Sequence, residues 1–151
     1  MKNDLDGMSV LIVGYRRAEN ILKLLRISQI SGIANIYLSI DGPKSNSASG
    51  QEDYNKIKEY VALFEQDYSG NLKIHLRNRN VGCAASVMSS CDWFFEQTDY
   101  GVILEDDCIP TKYFFIFAKN MEQKIYRDSK IWLVCGTQFA PDFVINNSVI
   151  I

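Results

Sequence analysis

Hydrophobic positions along the chain alternate between short apolar runs and amphipathic stretches. Residues 10–13 form a continuous apolar run, as expected for a strand that is covered on both faces. After a short polar turn, Ile21, Leu24 and Leu25 recur at helical spacing, which predicts a helix over residues 18–30. This exchange of strand and helix is typical of an α/β protein.

The same alternation continues to residue 135. Four further apolar runs predict strands over residues 36–40, 72–76, 101–104 and 131–135. A capping-box pattern at residues 49–52 predicts the start of the second helix, after a loop rich in Ser, Asn and Gly over residues 44–50. A third helix follows the polar loop 77–82, and Pro110 suits the start of a fourth.

The apolar stripe of each later helix indicates the face that it should bury. The expected stripes are Tyr54, Ile57, Val61 and Phe64 in the second helix, Ala84, Val87, Cys91 and Phe94 in the third, and Phe114, Ala118, Met121 and Ile125 in the fourth.

Strand–helix alternation predicts one domain, residues 1–151, with a mostly parallel sheet, helices on both faces and right-handed crossovers. Ligands bind such sheets at the carboxyl ends of the strands. That rule selects four loops, residues 14–17, 41–43, 77–82 and 105–110. A new apolar run from residue 148 leads us to expect a domain that is incomplete at its C-terminus.

Charge and composition exclude several classes of protein. With 16 Lys and Arg against 18 Asp and Glu, the chain has no basic excess with which to hold nucleic acid. No apolar stretch reaches the roughly 18 residues of a membrane span. Four scattered cysteines without a CxxC pair argue against zinc and predict reduced, buried thiols. We therefore expect a cytoplasmic protein, either free or peripheral at the inner membrane.

Common nucleotide and hydrolase motifs are missing from the sequence. It contains no G-x-G-x-x-G after the first strand, no G-x-x-x-x-G-K-[ST] loop and no G-x-S-x-G elbow. Dinucleotide binding, P-loop chemistry and the serine-hydrolase elbow are therefore not expected.

The strongest chemical pattern is Glu105-Asp106-Asp107 at the end of an apolar strand. Three adjacent carboxylates repel one another, and a hard divalent cation offsets that repulsion. Asp106 and Asp107 could instead cap the following helix and interact with its dipole. One acid suffices for capping, so three favour a site for a metal or a metal–diphosphate.

Several segments together resemble bacterial family-2-type glycosyltransferases of the GT-A fold, some of which are labelled haemolysin-like. The segments are VLIVGYRRA at 10–18, NVGC at 80–83, WFFE at 93–96, GVILEDDCIP at 101–110 and FF at 114–115. The Glu-Asp-Asp element is also similar to that of N-acetylglucosaminyltransferase I. The resemblance implies a Rossmann-like GT-A fold, of which this chain would be the nucleotide-sugar-binding half.

The resemblance also implies roles for the acidic residues. Asp107 would be the direct ligand of Mn²⁺ or Mg²⁺, which would bridge to the donor diphosphate. Glu105 would face the ribose hydroxyls, Asp106 the donor sugar, and Asp41 would accept a hydrogen bond from the base, usually uracil. The alternative for Asp41 is a simple Asp-Gly-Pro turn.

Three further residues are assigned to substrate binding by the same resemblance. Arg17 would lie beside the nucleotide or diphosphate, and Asn80 and Gly82 would shape the donor pocket by close backbone approach. The alternatives are a solvated cation at Arg17 and a plain loop and helix start at Asn80 and Gly82. Ala85 departs from the family, which usually has Lys or Arg there. A cation contact to the phosphates is therefore expected either to be lost or to be supplied by Arg77 or Arg79.

The function implied is transfer of a sugar from a nucleoside-diphosphate sugar, usually UDP-linked, to a hydroxyl of a glycan, lipid or protein acceptor. The catalytic base is expected beyond Ile151, so this chain alone should be inactive. Its exposed apolar surface is expected to favour a homodimer. Two alternatives stay open. One is a non-catalytic nucleotide-sugar-binding or interaction module with the same fold, and the other is a sugar nucleotidyltransferase.

Overall fold

Helices and strands alternate along the chain in the computed structural model, which describes residues 5, 7–136, 144–145 and 148–149. The elements are β1 (Ser9–Gly14), α1 (Ala18–Ile30), β2 (Asn35–Ile40), α2 (Ala48–Asp67), β3 (Asn71–Leu76), α3 (Cys83–Phe95), β4 (Val102–Glu105), α4 (Lys112–Arg127), β5 (Val144–Ile145) and β6 (Ser148–Val149).

Strands β1 to β4 form one parallel sheet in the order β3-β2-β1-β4, and β5 pairs with β6 as a separate antiparallel ribbon. The central strand β1 is buried along its whole length. It pairs with β2 from Ser9 opposite Asn35, and with β4 from Val10 opposite Val102. The predicted α/β class and the parallel sheet are confirmed.

Helices cover both faces of the sheet, because side chains along a strand alternate between the faces. On one face, Val10 and Ile12 belong to a core shared with α1, α2 and the Phe115 side chain of α4. On the other face, Leu11 and Val13 pack with α3 in a smaller core. The continuous apolar run of β1 is explained by burial on both sides.

The helix starts differ in part from those predicted. Helix α1 has the predicted bounds, but α2 begins at Ala48, so the end of the predicted loop 44–50 is helical. Its N-cap is Ser47, whose Oγ accepts a hydrogen bond from the Gly50 N–H at 3.0 Å, so the predicted capping box is wrong. Pro110 lies two residues before α4, which is preceded by Thr111 as N-cap.

The predicted stripe of α2 is confirmed, and that of α3 is confirmed in part. Phe94 is buried, and Val87 and Cys91 are half-buried against the same core. The buried residues of α3 are Ser86, Ser90 and Phe94, and Ala84 is exposed. Serines were overlooked because a hydropathy pattern counts them as polar. The Ser90 hydroxyl is buried with partners, since it lies 2.7 Å from Ser39 Oγ and donates to the Ser86 carbonyl at 2.6 Å.

The stripe predicted for α4 is partly confirmed. Ala118 is buried, but Phe114, Met121 and Ile125 are only half-buried. Phe115, which lies outside the predicted stripe, is completely buried.

The predicted fifth strand over residues 131–135 is wrong. These residues form no strand, and Trp132 and Leu133 are 89% and 76% exposed. The segment begins with a turn in which the Ile131 N–H donates to the Asp128 carbonyl at 3.0 Å. An apolar run indicates a tendency toward burial, whereas a strand also needs a neighbouring backbone with which to pair.

The prediction of buried thiols is also wrong. All four cysteines are free, but Cys83, Cys108 and Cys135 are exposed and Cys91 is half-buried. Of the helices in the part of the chain that the structure describes, none is long and apolar enough to cross a membrane. The predicted incompleteness of the C-terminus concerns a segment that lies largely outside the described residues.

We predict that Phe94→Ala lowers the free energy of unfolding by about 3–5 kcal/mol, because it removes a completely buried ring. That ring lies 5.0 Å from the Tyr37 ring, edge to face. The neighbouring Phe95 is 48% exposed, and Phe95→Ala is the matched control. Denaturant unfolding measures both variants. An equal loss of stability in the two would contradict the expectation that the buried Phe94 ring stabilises the fold more than the half-exposed Phe95 ring.

Candidate functional site

A cleft of about 610 Å³ opens at the carboxyl ends of β1, β2 and β4, beside the first turn of α3. All seven residues predicted from the sequence line this cleft: Arg17, Asp41, Asn80, Gly82, Glu105, Asp106 and Asp107. The structure therefore brings them together, although they come from four separate loops. Their individual roles stay predictions.

The cleft lies where the chain reverses its direction across the sheet. From β1 the chain moves outward to β2 and β3, and it then crosses back to place β4 on the other side of β1. Helix α1 follows β1 on one face, whereas α3 lies on the opposite face. The connections therefore diverge at the end of β1 and leave a crevice there.

Asp41 follows β2 and is 3% exposed. Its carboxylate accepts from the backbone N–H groups of Gly42 at 2.9 Å, Val81 at 3.0 Å and Gly82 at 3.2 Å, and from Asn80 Nδ2 at 2.8 Å. A carboxylate offers about four acceptor positions, so this one is filled by protein donors. Asp41 therefore anchors the loop before α3, a role that the sequence prediction missed.

Two glycines shape this loop for different reasons. Gly82 has φ +88°, a conformation that favours glycine, but a Cβ there would meet no atom within 4 Å. At Gly42, a Cβ would collide with the backbone of Arg79. The backbone of Arg79 therefore approaches Gly42 closely, whereas glycine is favoured at position 82 because of the positive φ angle there.

Asp106 links the end of β4 to the turn after β1 through hydrogen bonds. It is 8% exposed, and its Oδ2 accepts from the Tyr15 N–H at 3.0 Å while its Oδ1 lies 2.5 Å from Arg17 Nη1. The Asp106 carbonyl also accepts from Asn20 Nδ2 at 2.8 Å. Both carboxylate oxygens are therefore engaged within the protein, as a buried charge requires.

Glu105 and Asp107 are the exposed carboxylates at the end of β4. Arg17 Nη1, already bound to Asp106, also donates to Asp107 Oδ2 at 3.1 Å. The hydrogen bond to Asp106, aided by the negative charges, raises the pKa of Arg17 above its ordinary value. Burial, reinforced by Asp107, raises the pKa of the Cys108 thiol, so this thiol is less acidic than a solvated one.

Arg16, Arg17 and Lys44 are the cations among the described residues that line the cleft. Arg16 is turned toward α2, where its Nε lies 2.6 Å from Asp53 Oδ2. Lys44 was not predicted as a site residue, although its place just after the end of β2 would have indicated it.

Of the two alternatives for the missing cation at position 85, replacement by Arg77 or Arg79 is not supported. Neither Arg77 nor Arg79 is among the described residues that line the cleft. The Arg77 guanidinium instead donates to Ser39 Oγ at 2.9 Å and to Ser89 Oγ at 2.7 Å, beneath α3.

His75 on β3 is a packing residue rather than part of the cleft. Its ring lies 5.4 Å from the Trp93 ring, edge to face. Burial and the nearby charge of Arg77 lower the pKa of His75, which favours the neutral imidazole.

A preformed cage of three His, Cys, Asp or Glu ligands is not found among the described residues. The donor set nevertheless suits a cation that is shared with a phosphate. Mg²⁺ is commonly held by one or two carboxylates together with phosphate oxygens and water. Asp107 is exposed at the cleft and can supply one such carboxylate, whereas Asp106 is already engaged by Tyr15 and Arg17.

Comparison of this chain with protein-family models, with curated proteins and with solved structures gave no match.

We predict that Asp41→Ala lowers the free energy of unfolding by about 3 kcal/mol, because it leaves several donors of the 80–82 loop without their charged acceptor. Amide hydrogen exchange at Val81 and Gly82 should accelerate with it. The control is Asp53→Ala, which breaks an ion pair with Arg16 and should change stability by less than about 1 kcal/mol. Unchanged exchange at Val81 and Gly82 would argue against the anchoring role.

Proposed function

We propose that this cleft binds a nucleoside-diphosphate sugar, UDP-linked, together with Mn²⁺ or Mg²⁺. The chain would be the donor-binding portion of a GT-A glycosyltransferase that transfers the sugar to a hydroxyl of a glycan, lipid or protein. The observation that carries this proposal is the meeting of Arg17 and Lys44 with Glu105 and Asp107 in one cleft at the switch point of a parallel sheet.

The charges in the cleft suit a diphosphate bound with a divalent cation. Arg17 and Lys44 would contact phosphate oxygens, and Asp107 would hold the cation that also binds the diphosphate. When bound, such a cation neutralises negative charge on the leaving nucleoside diphosphate. Glu105 is exposed and free to accept hydrogen bonds from ribose hydroxyls.

Asp106 would act differently from its two neighbours. Its carboxylate is nearly buried and engaged by Arg17 and the Tyr15 N–H. We therefore assign to Asp106 the positioning of Arg17 as its main role. The resemblance implies contact with the donor sugar, which we treat as a secondary role. Activation of the acceptor hydroxyl needs a further base, so binding of the donor, rather than turnover, is the appropriate test.

We predict that the chain binds UDP more tightly in the presence of Mn²⁺, and that Asp107→Ala weakens this metal-dependent binding roughly ten- to hundredfold. Without metal, Asp107→Ala should bind UDP at least as tightly as the unmodified chain, because Asp107 would act through the cation and its loss releases Arg17 from the ion pair. Isothermal titration calorimetry measures both conditions. The control is Asp92→Ala, which removes an exposed carboxylate of α3 that is not among the cleft residues.

Each outcome of this titration bears on the proposal. Metal-dependent binding that only the Asp107 variant loses would support a metal–diphosphate site. Metal-independent binding, equal in all three proteins, would favour a nucleotide-binding module that does not use these carboxylates. Failure of the unmodified chain to bind UDP under either condition would contradict the proposal.

Arg17 and the cation should compete for Asp107, since Arg17 Nη1 already occupies Asp107 Oδ2. We predict that Arg17→Ala binds Mn²⁺ alone about two- to fivefold more tightly, because an exposed ion pair is lost as a competitor. The same variant should bind UDP with Mn²⁺ about tenfold more weakly, because a charged phosphate contact is removed. Electron paramagnetic resonance of free Mn²⁺ and calorimetry measure the two affinities.

Arg17→Lys is the matched control, because it keeps the charge but not the planar guanidinium. Its UDP affinity should fall between those of the unmodified chain and Arg17→Ala. If both affinities of Arg17→Ala shift in the same direction, Arg17 does not exchange between Asp107 and phosphate.

A further inference from the structure

Two serines on the buried face of α3 differ in the hydrogen bonding of their hydroxyl groups. Ser86 and Ser90 lie one turn apart and are 3% and 0% exposed. The Ser90 hydroxyl has partners in Ser39 Oγ and the Ser86 carbonyl. The Ser86 hydroxyl oxygen is out of contact with solvent, and no hydrogen-bond partner for it is found in the described part of the chain. Such groups are rare in folded proteins. Ser28 Oγ and His75 Nδ1 share this state among the described residues, but of the three only Ser86 lines the cleft.

Ser86 differs from Ser90 also in its location, since Ser86 lines the cleft. It lies in the second turn of α3, and its own N–H donates to the Gly82 carbonyl at 2.9 Å. Gly82 is the N-cap of α3 and caps it with no side chain. A hydroxyl without a partner therefore lies close to the uncapped start of a helix, where the first N–H groups are oriented toward acceptors.

The surroundings of Ser86 differ from those of the charged end of the cleft. Val13 and Val87 also line the cleft and are apolar, and Asp41 nearby has its acceptor positions filled by the loop. The ion pairs of Arg17 lie instead at the end of β4. With the diphosphate at the Arg17 end, the α3 end is left for the base, a flat ring with apolar faces and a polar edge.

We propose that the Ser86 hydroxyl hydrogen-bonds the polar edge of the nucleobase and is a binding determinant of the cleft. The inference rests on the proposed function, because it assumes a nucleotide in this cleft. Rotation about the single Cα–Cβ bond changes the direction of the hydroxyl between staggered positions. Serine both donates and accepts, so it can pair with a ring carbonyl or a ring N–H.

Calorimetry with UDP, ribose 5-phosphate and pyrophosphate at fixed Mn²⁺ tests this proposal on the unmodified chain and on Ser86→Ala. We expect Ser86→Ala to bind UDP about five- to tenfold more weakly, because one hydrogen bond to the ligand is lost. Its affinities for ribose 5-phosphate and pyrophosphate should not change, since neither contains a base. Ser89→Ala is the matched control, because Ser89 is an exposed serine of the same helix that is not a cleft residue.

Thermal unfolding without ligand separates a binding role from a structural one. If Ser86 serves the ligand, its hydroxyl contributes nothing to the free fold, and Ser86→Ala should keep or raise the melting temperature. A lowered melting temperature would indicate a structural role and overturn the proposal. Ser86→Cys, which keeps a side chain of similar shape with a weaker donor, provides a second variant and should also weaken UDP binding.

The remaining outcomes distinguish this inference from the proposed function. If the unmodified chain binds UDP and Ser86→Ala binds it equally well, the inference is wrong and the proposed function stands. An equal loss for ribose 5-phosphate or pyrophosphate would place the hydroxyl at the ribose or diphosphate and overturn the contact with the base. If the unmodified chain does not bind UDP, the proposed function fails and this inference fails with it.

Discussion

The reversal of the chain at β1 is the constraint on which the rest of the structure depends. Because β2 and β4 lie on opposite sides of β1, the connections after β1 and β3 cover opposite faces of the sheet. Among the described residues, the cleft lies between these connections at the strand ends. Polar loops converge there above β1, which is buried along its whole length.

The carboxylates of the cleft fall into two groups. One group is buried and hydrogen-bonded to neighbouring loops, and the other is exposed. Asp41 ties the start of α3 to β2, and Asp106 ties the turn after β1 to the end of β4. Both are nearly buried, and charged groups are stable there only when they are fully hydrogen-bonded. Glu105 and Asp107 remain exposed at the end of β4, beside Arg17.

The buried polar groups under α3 follow the same rule. Ser39, Ser90 and Arg77 satisfy one another between the sheet and the helix, which allows a mixed polar and aromatic contact in place of an apolar one. Such networks specify one arrangement of neighbouring elements when every member is paired. Ser86, at the edge of this network and on the wall of the cleft, is the member left without a partner.

The sequence by itself determined the order of the elements, the parallel sheet and the loops that meet at its end, because hydrophobic period and strand polarity depend on local spacing. It also predicted residues that line the cleft, among them Arg17 and Asp107. Only the tertiary structure decided that the Asp41 and Asp106 carboxylates bind donors of neighbouring loops. It also decided that Ser86 is buried and that residues 131–135 form no strand. Hydrogen-bond partners and ladder neighbours come from distant segments, so no local pattern in the sequence specifies them.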